Sequence, residues 1–226
     1  MNLVALARLL RLASPALPVG AFGYSQGLEW AVDSGAVRDE LTARGWIGSL
    51  VAGNMARFEL PLLLRMREAS AVGDFVRFGS LNAEYLASRE TQELRAETLQ
   101  MGGALRTALG AAGDCKPPAL AEFDGIENLA FPAAFAFAAA IWEIPAGDTA
   151  MGYAWSWAEN QVTAAIKLVP LGQSAGQRIL AWLTPALSHA VEVAMRTGEE
   201  SMSNFAPLYA IASSRHETQY TRLFRS

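Results

Sequence analysis

The chain is short of charge. Asp, Glu, Lys and Arg make up 18% of its 226 residues, and hydrophobic residues make up 52%. Ordinary soluble domains carry about 25% charged residues. A chain of this length suits one domain with an ample core. Its folded surface must leave apolar patches uncovered, and such patches mark interfaces. Cysteine is scarcer still. Cys115 stands alone, which excludes a disulfide within the chain and fits a reducing compartment. The histidines are His189 and His216. A closed zinc site needs four ligands, usually Cys or His, so no such site is expected within one chain. One histidine from each of two copies could still share an ion. His189 falls beside the Leu187/Val191 stripe and reads as a packed histidine at the core edge.

Long apolar runs are missing too. The most apolar stretch, Leu129 to Trp142, is roughly 14 residues, where a bilayer span needs about 20. The N-terminus is apolar but carries Arg8 and Arg11, with no small-residue cleavage pattern, so it does not read as a secretory leader. A cytoplasmic protein is the expectation, without a membrane role. The net charge of −4 gives no global attraction to nucleic acid. Neither a Gly-x-x-x-x-Gly-Lys-Ser/Thr loop nor a Gly-x-Ser-x-Gly elbow occurs. Ser214, His216 and Glu217 lie close together, but on an arginine-rich terminus with no oxyanion donors in sight. Catalysis by this chain alone is not indicated.

What is present is helical spacing almost throughout, with no alternating β-branched runs bounded by turns. The expected fold is all-α: a single-domain bundle of roughly ten helices, several of them kinked by proline. Leu3, Leu6, Leu10 and Ala13 share one face of a first helix that stops before Pro15. Asp39 should cap a long helix that Pro61 kinks or splits, and Asp74 and Asp148 should cap two more. Gly110 to Pro118 reads as a loop. Glu127 to Ile144 is an Ala/Phe-rich helix with Pro132 in its first turn, suited to the centre of a bundle. Further helices begin near Gln173, with Pro185 inside, and at Pro207.

Three stretches stand out. Ala13 to Trp30 holds Pro15, Pro18, Gly20, Gly23 and Gly27. On a helix these glycines would share a smooth face for close backbone approach, beside a polar edge of Tyr24, Ser25, Gln26 and Glu29. The stretch is either a buried connector or a docking surface. Residues 89 to 100 are dense in charge and read chiefly as a solvated helix with i,i+4 pairing, with partner recognition as the second reading. Ser213 to Ser226 carries three arginines against one acid, interleaved with Tyr220, Leu223 and Phe224. Arginine with aromatics is the composition of interface anchors. The chain therefore divides into a helical domain, 1–212, and a C-terminal partner-binding tail, 213–226.

Three motifs carry a family resemblance: Leu-Pro-Val-Gly-Ala-Phe-Gly-Tyr-Ser-Gln-Gly-Leu-Glu-Trp at 17–30, Lys-Leu-Val-Pro-Leu-Gly-Gln at 167–173, and Ala-Ile-Ala-Ser-Ser-Arg-His-Glu-Thr-Gln-Tyr-Thr-Arg-Leu-Phe-Arg-Ser at 210–226. Together they closely resemble the urease accessory protein UreF family, and Arg-Glu-Thr-Gln-Glu-Leu-Arg at 89–95 resembles a fourth family segment. The resemblance implies an all-α protein without catalysis or cofactor of its own, usually a homodimer. It implies a bridge between a UreD-type scaffold (UreH in some organisms), which contacts apo-urease, and UreG, a P-loop GTPase that carries nickel. Nickel and GTP would be handled by those partners. By resemblance Arg215, His216, Glu217, Tyr220, Arg222 and Arg225 contact the UreD/UreH-type partner, with Leu223 and Phe224 helping by burial. Tyr24, Gln26, Glu29 and Lys167 face the UreG-type GTPase. Two mechanisms stay open: a bridge that aligns the partners, or a modulator of GTP hydrolysis.

Overall fold

The computed structural model describes residues 1–113, 121, 123 and 125–226. The fold is all-α in a single domain, with no strand among the described residues. Helix α1 is Leu3–Ala13, capped by the Asn2 side chain, which accepts from the Ala5 amide. It ends before Pro15, which cannot donate to a helix. Helix α2 is short, Leu28–Asp33.

Asp39 starts α3, Glu40–Leu50, with a capping box: it accepts from the Thr42 amide, and the Thr42 side chain accepts from the Asp39 amide. The helix does not stop there. It widens into a π-helical segment, Val51–Glu59, and resumes as α4, Leu60–Val72, with Pro61 in its first turn. In a regular helix the residue at 61 would donate to the carbonyl of Arg57, and proline has no N–H. The Ser203 amide takes that carbonyl instead, at 3.1 Å. The proline expected to kink or split the helix is thus accommodated by a wider turn and an outside donor.

Asp74 caps α5, Phe75–Ala87, as its sequence position suggests, and Thr91 caps α6, Gln92–Ala112. Gly110 therefore lies inside a helix; the rest of the expected 110–118 loop falls mostly outside the described residues, as does Cys115. Helix α7, Phe131–Ile141, has Pro132 in its first turn and is buried on nearly every side between α4 and α6. Its small alanines let those neighbours close in. At the same junction, Gly102 of α6 lies against the backbone of Leu129 and Ala130. Helix α8, Ala146–Leu168, starts two residues before Asp148, which sits in its first turn rather than at its cap. Helix α9 is Gln173–Arg196 and packs along α8. A final helix, α10, Pro207–His216, packs against α2.

The glycine-rich stretch departs most from expectation. It is not one helix with a glycine face. Gly20 and Gly27 have φ of 77° and 78°, a left-handed conformation that favours glycine, and only a short 3-10 turn, Ala21–Gly23, lies between them. Close approach does occur, at Gly27: a Cβ there would stand 3.0 Å from Ala212 Cβ and from the Ser213 nitrogen of α10.

Candidate docking site

The first and last parts of the chain meet. Glu29, in the first turn of α2, is buried. One of its oxygens accepts the Leu223 amide at 2.6 Å; the other accepts the Phe224 amide at 2.9 Å and lies 3.2 Å from His216 Nε2. The other face of the His216 ring, Nδ1, lies 2.6 Å from Glu93 of α6. Glu93 also pairs with Arg222 at 2.6 Å. Glu217 accepts the amides of Gln92 and Glu93 at 2.9 and 3.3 Å, a carboxylate at the positive end of α6. The Ser226 carbonyl takes the amides of Ser25 and Gln26 and the Ser25 hydroxyl, and the Arg225 amide donates to the Gly23 carbonyl.

Beneath this layer lies Glu97. Its two oxygens accept from Gln26 Nε2 and from the Ser226 hydroxyl, both at 2.7 Å. Burial pushes its carboxyl up to about 7, against the pull of those two hydrogen bonds and of Arg89. Gln26 is held in turn by Trp157 Nε1 at 2.7 Å. Deeper still, Glu59 of the π-helical segment accepts from the Tyr153 and Tyr85 hydroxyls and lies 3.8 Å from the Arg89 guanidinium, which stacks over Tyr85. Burial also raises the Tyr85 and Tyr153 phenols well above their usual range. Glu59, Arg89 and Glu97 line a cavity of about 120 Å³ that reaches the surface beside Ser14 to Phe22.

Most of the residues named from the sequence, from both sets, therefore meet in one hydrogen-bonded cluster, to which no side-chain hydrogen bond among the described residues joins Lys167, Arg215 or Tyr220. Tyr24 and Glu29 are buried, Gln26 is half-buried, and Lys167 is exposed with its ammonium 5.6 Å from the Phe224 ring. Tyr24 donates to Gln100 at 2.6 Å. In the terminal segment His216 and Phe224 are buried, while Arg215, Glu217, Tyr220, Arg222, Leu223 and Arg225 are exposed. Helix α10 runs through the expected 212/213 boundary.

Two other expectations are corrected. His189 is no packed core-edge histidine: its side chain is 73% exposed, 4.0 Å from Glu192. The charged 89–100 segment is not mainly a solvated face, because Arg89 and Glu97 are buried and Glu93 is turned to His216 and Arg222. Sequence reasoning did not single out Glu59 or Glu97, took Arg89 and Glu93 only as parts of a charged segment, and took Ser25 only as part of a polar edge. A lone acid at 59 between Phe58 and Leu60 was the available signal for the first. Among the described residues no cluster of three or more metal-ligating side chains is suited to an ion, and no helix is long and apolar enough to cross a membrane.

The UreF family model matches residues 37–184. The chain belongs to the UreF family. A protein of Azoarcus sp. (strain BH72) named urease accessory protein UreF is 56% identical over 227 residues, covering 100% of this chain and 97% of the relative. Its namesake from Dechloromonas aromatica (strain RCB) is 50% identical over 222 residues, covering 98% and 97%. The matched family region ends before α10, so the docked terminus rests on the full-length relatives for its kinship.

Proposed function

We propose that this UreF-family chain is a non-catalytic adaptor in urease maturation. It bridges a UreD/UreH-type scaffold and a UreG-type GTPase so that nickel enters apo-urease, and it holds no cofactor of its own. The observation that carries this reading is the outward side of the chain's end. Helix α10 buries Tyr209, Ala212, Ser213 and His216. Its other face presents Leu208, Ile211 and Arg215 to solvent, Phe205 is uncovered just before it, and beyond it Tyr220, Arg222 and Leu223 are uncovered. Bare aromatics and aliphatics beside arginine are the makings of an interface. Their backbone is pinned beforehand, so little ordering remains to oppose association.

The scaffold-type partner takes this terminal face. The GTPase-type partner takes the side where Lys167 stands by Phe224, with Tyr24, Gln26 and Glu29 acting from beneath by fixing the terminal segment. Two copies pair through α1. Leu3, Val4, Leu6 and Leu10 there are uncovered, while Arg8 and Arg11 are turned onto Trp142 at 5.5 and 4.7 Å, leaving the outer face free of charge. A cytoplasmic setting follows from the partners' chemistry.

The test is reconstitution with the two partners and apo-urease. Nickel-dependent urease activity should require this chain, and the GTPase alone should hydrolyse GTP at the same rate with it or without it. Loss of activation only when the chain is omitted supports the adaptor. A changed hydrolysis rate in the absence of scaffold moves the reading to a GTPase modulator.

A further inference from the structure

The π-helical segment ends on Glu59, and widened turns of this kind recur at functional sites. Glu59 is 5% exposed and Arg89 8%, and both line the cavity of about 120 Å³. Glu59 Oε1 accepts the Tyr85 and Tyr153 hydroxyls. Its Oε2 accepts no hydrogen bond among the described residues and lies 3.8 Å from Arg89 Nη1, too far for one. Arg89 donates from Nε and Nη2 to the Ser88 hydroxyl, at 3.3 and 3.1 Å, and from Nη1 to nothing among the described residues. Neither Oε2 nor Nη1 is sealed in protein. The cavity therefore meets one spare acceptor beside one spare donor, on two side chains more than nine-tenths buried. Spare buried groups of this kind call for a partner.

Those two atoms decide the charge of an occupant. A cation set against Glu59 Oε2 would stand beside the guanidinium. An anion set against Arg89 Nη1 would stand beside the carboxylate. Like charges brought together away from water are costly. A neutral group that donates to one and accepts from the other meets both. A primary carboxamide does this with two adjacent atoms: its oxygen takes the Arg89 donor, and its nitrogen donates to Glu59. Glu97 lines the same cavity, but its two oxygens already accept from Gln26 and Ser226.

The rest of the lining sets the size and the tail. Leu12, Leu94, Met101 and Phe131 form apolar wall. A cavity of about 150 Å³ takes benzene, so this one takes a molecule of roughly five or six heavy atoms. We infer that the cavity is a binding site for a small neutral carboxamide with a short apolar tail, held by Glu59 Oε2 and Arg89 Nη1. Among the described residues none after Thr163 lines the cavity, so the terminal face supplies no group to it and the site stands apart from the adaptor reading.

Titration of the full chain with isobutyramide tests it, read at the Met101 methyl resonance in methionine-labelled protein, with Met101→Leu to identify that resonance. Isobutyrate and isobutyramidinium share the shape and the number of heavy atoms but carry a negative and a positive charge. Isobutyramide should shift the Met101 methyl along a saturable curve, with a Kd of roughly millimolar order for so small a ligand. Neither charged analogue should bind within about tenfold of it. No saturable shift with isobutyramide overturns the proposal and leaves the pair to bound water. Equal binding of either charged analogue overturns it as well. Glu59→Gln keeps an oxygen for the two tyrosines but turns a donor toward the cavity, so it should weaken isobutyramide at least about tenfold. Unchanged affinity in the folded variant would contradict the assignment. Should Glu59→Gln lose its helical circular dichroism, the three wild-type titrations decide.

Discussion

The Phe224 amide donates to the Glu29 carboxylate across 2.9 Å and 195 positions of sequence. The Leu223 amide joins it on the other oxygen. Two buried donors and a histidine thus depend on one carboxylate near the chain's beginning.

Glu29→Ala should leave those donors without a partner and cost about 2–4 kcal/mol. Glu29→Gln should cost less, since an amide oxygen still accepts one of them. Urea unfolding checks the size. Limited trypsin digestion checks the place: cleavage after Arg222 should speed up in Glu29→Ala before the body of the protein is cut. Unchanged cleavage would show that the terminal segment does not hang on Glu29.

Gly102 and Gly103 are neighbours in α6 with opposite surroundings. A Cβ on Gly102 would overlap the Leu129 carbonyl oxygen and stand 2.8 Å from the Ala130 carbonyl carbon, whereas one on Gly103 would meet nothing within 4 Å. Gly102→Ala should destabilise by roughly 1–3 kcal/mol, because backbone rather than a flexible side chain must give way. Gly103→Ala should be neutral or gain up to about 1 kcal/mol from better helix propensity. Thermal unfolding of the pair reads the contrast directly.

Local chemistry made much of the fold legible in the sequence. Asp39, Asp74 and Pro132 act within one turn of themselves, and each lies where a capping or first-turn residue belongs. The resemblance in the terminal motif was likewise legible. What could not be read was pairing across the chain. Charges at Glu93 and Glu97 lie four apart, the same spacing as a solvated helix face, and nothing local shows that Gln26 and Ser226 come from far along the chain to bond Glu97. The glycine stretch misleads for a related reason: three- and four-residue spacing suits a helix face, but Gly20 and Gly27 answer left-handed turns. Nothing near Asp148 in sequence says that α8 begins at Ala146.

Glu97 also gives the whole protein a pH signature. Its folded-state value of about 7 lies above the ordinary carboxyl value of 4.5. Its contribution to stability is complete below 4.5 and is lost as pH rises through 7, an effect of about 3 kcal/mol at most. Glu97→Gln should lose less stability than wild type on going from pH 5 to pH 7.5, as read by urea midpoints. Parallel curves would mean that Glu97 is ionised in the folded protein throughout.

Tyr220 is fully exposed and Arg222 pairs only at the surface with Glu93, so removing both should leave the fold intact. The double variant Tyr220→Ala, Arg222→Ala should keep wild-type circular dichroism. Its affinity for the scaffold-type partner should fall at least about tenfold, the range of anchor residues at interface centres. Titration by calorimetry would give the number.

The most direct measurement is recovery of the GTPase-type partner on a tagged UreD/UreH-type scaffold, with and without this chain. The adaptor account predicts that the GTPase is retained only when the chain is present, and is lost again with the Tyr220→Ala, Arg222→Ala variant. Equal retention of the GTPase in the chain's absence would contradict it.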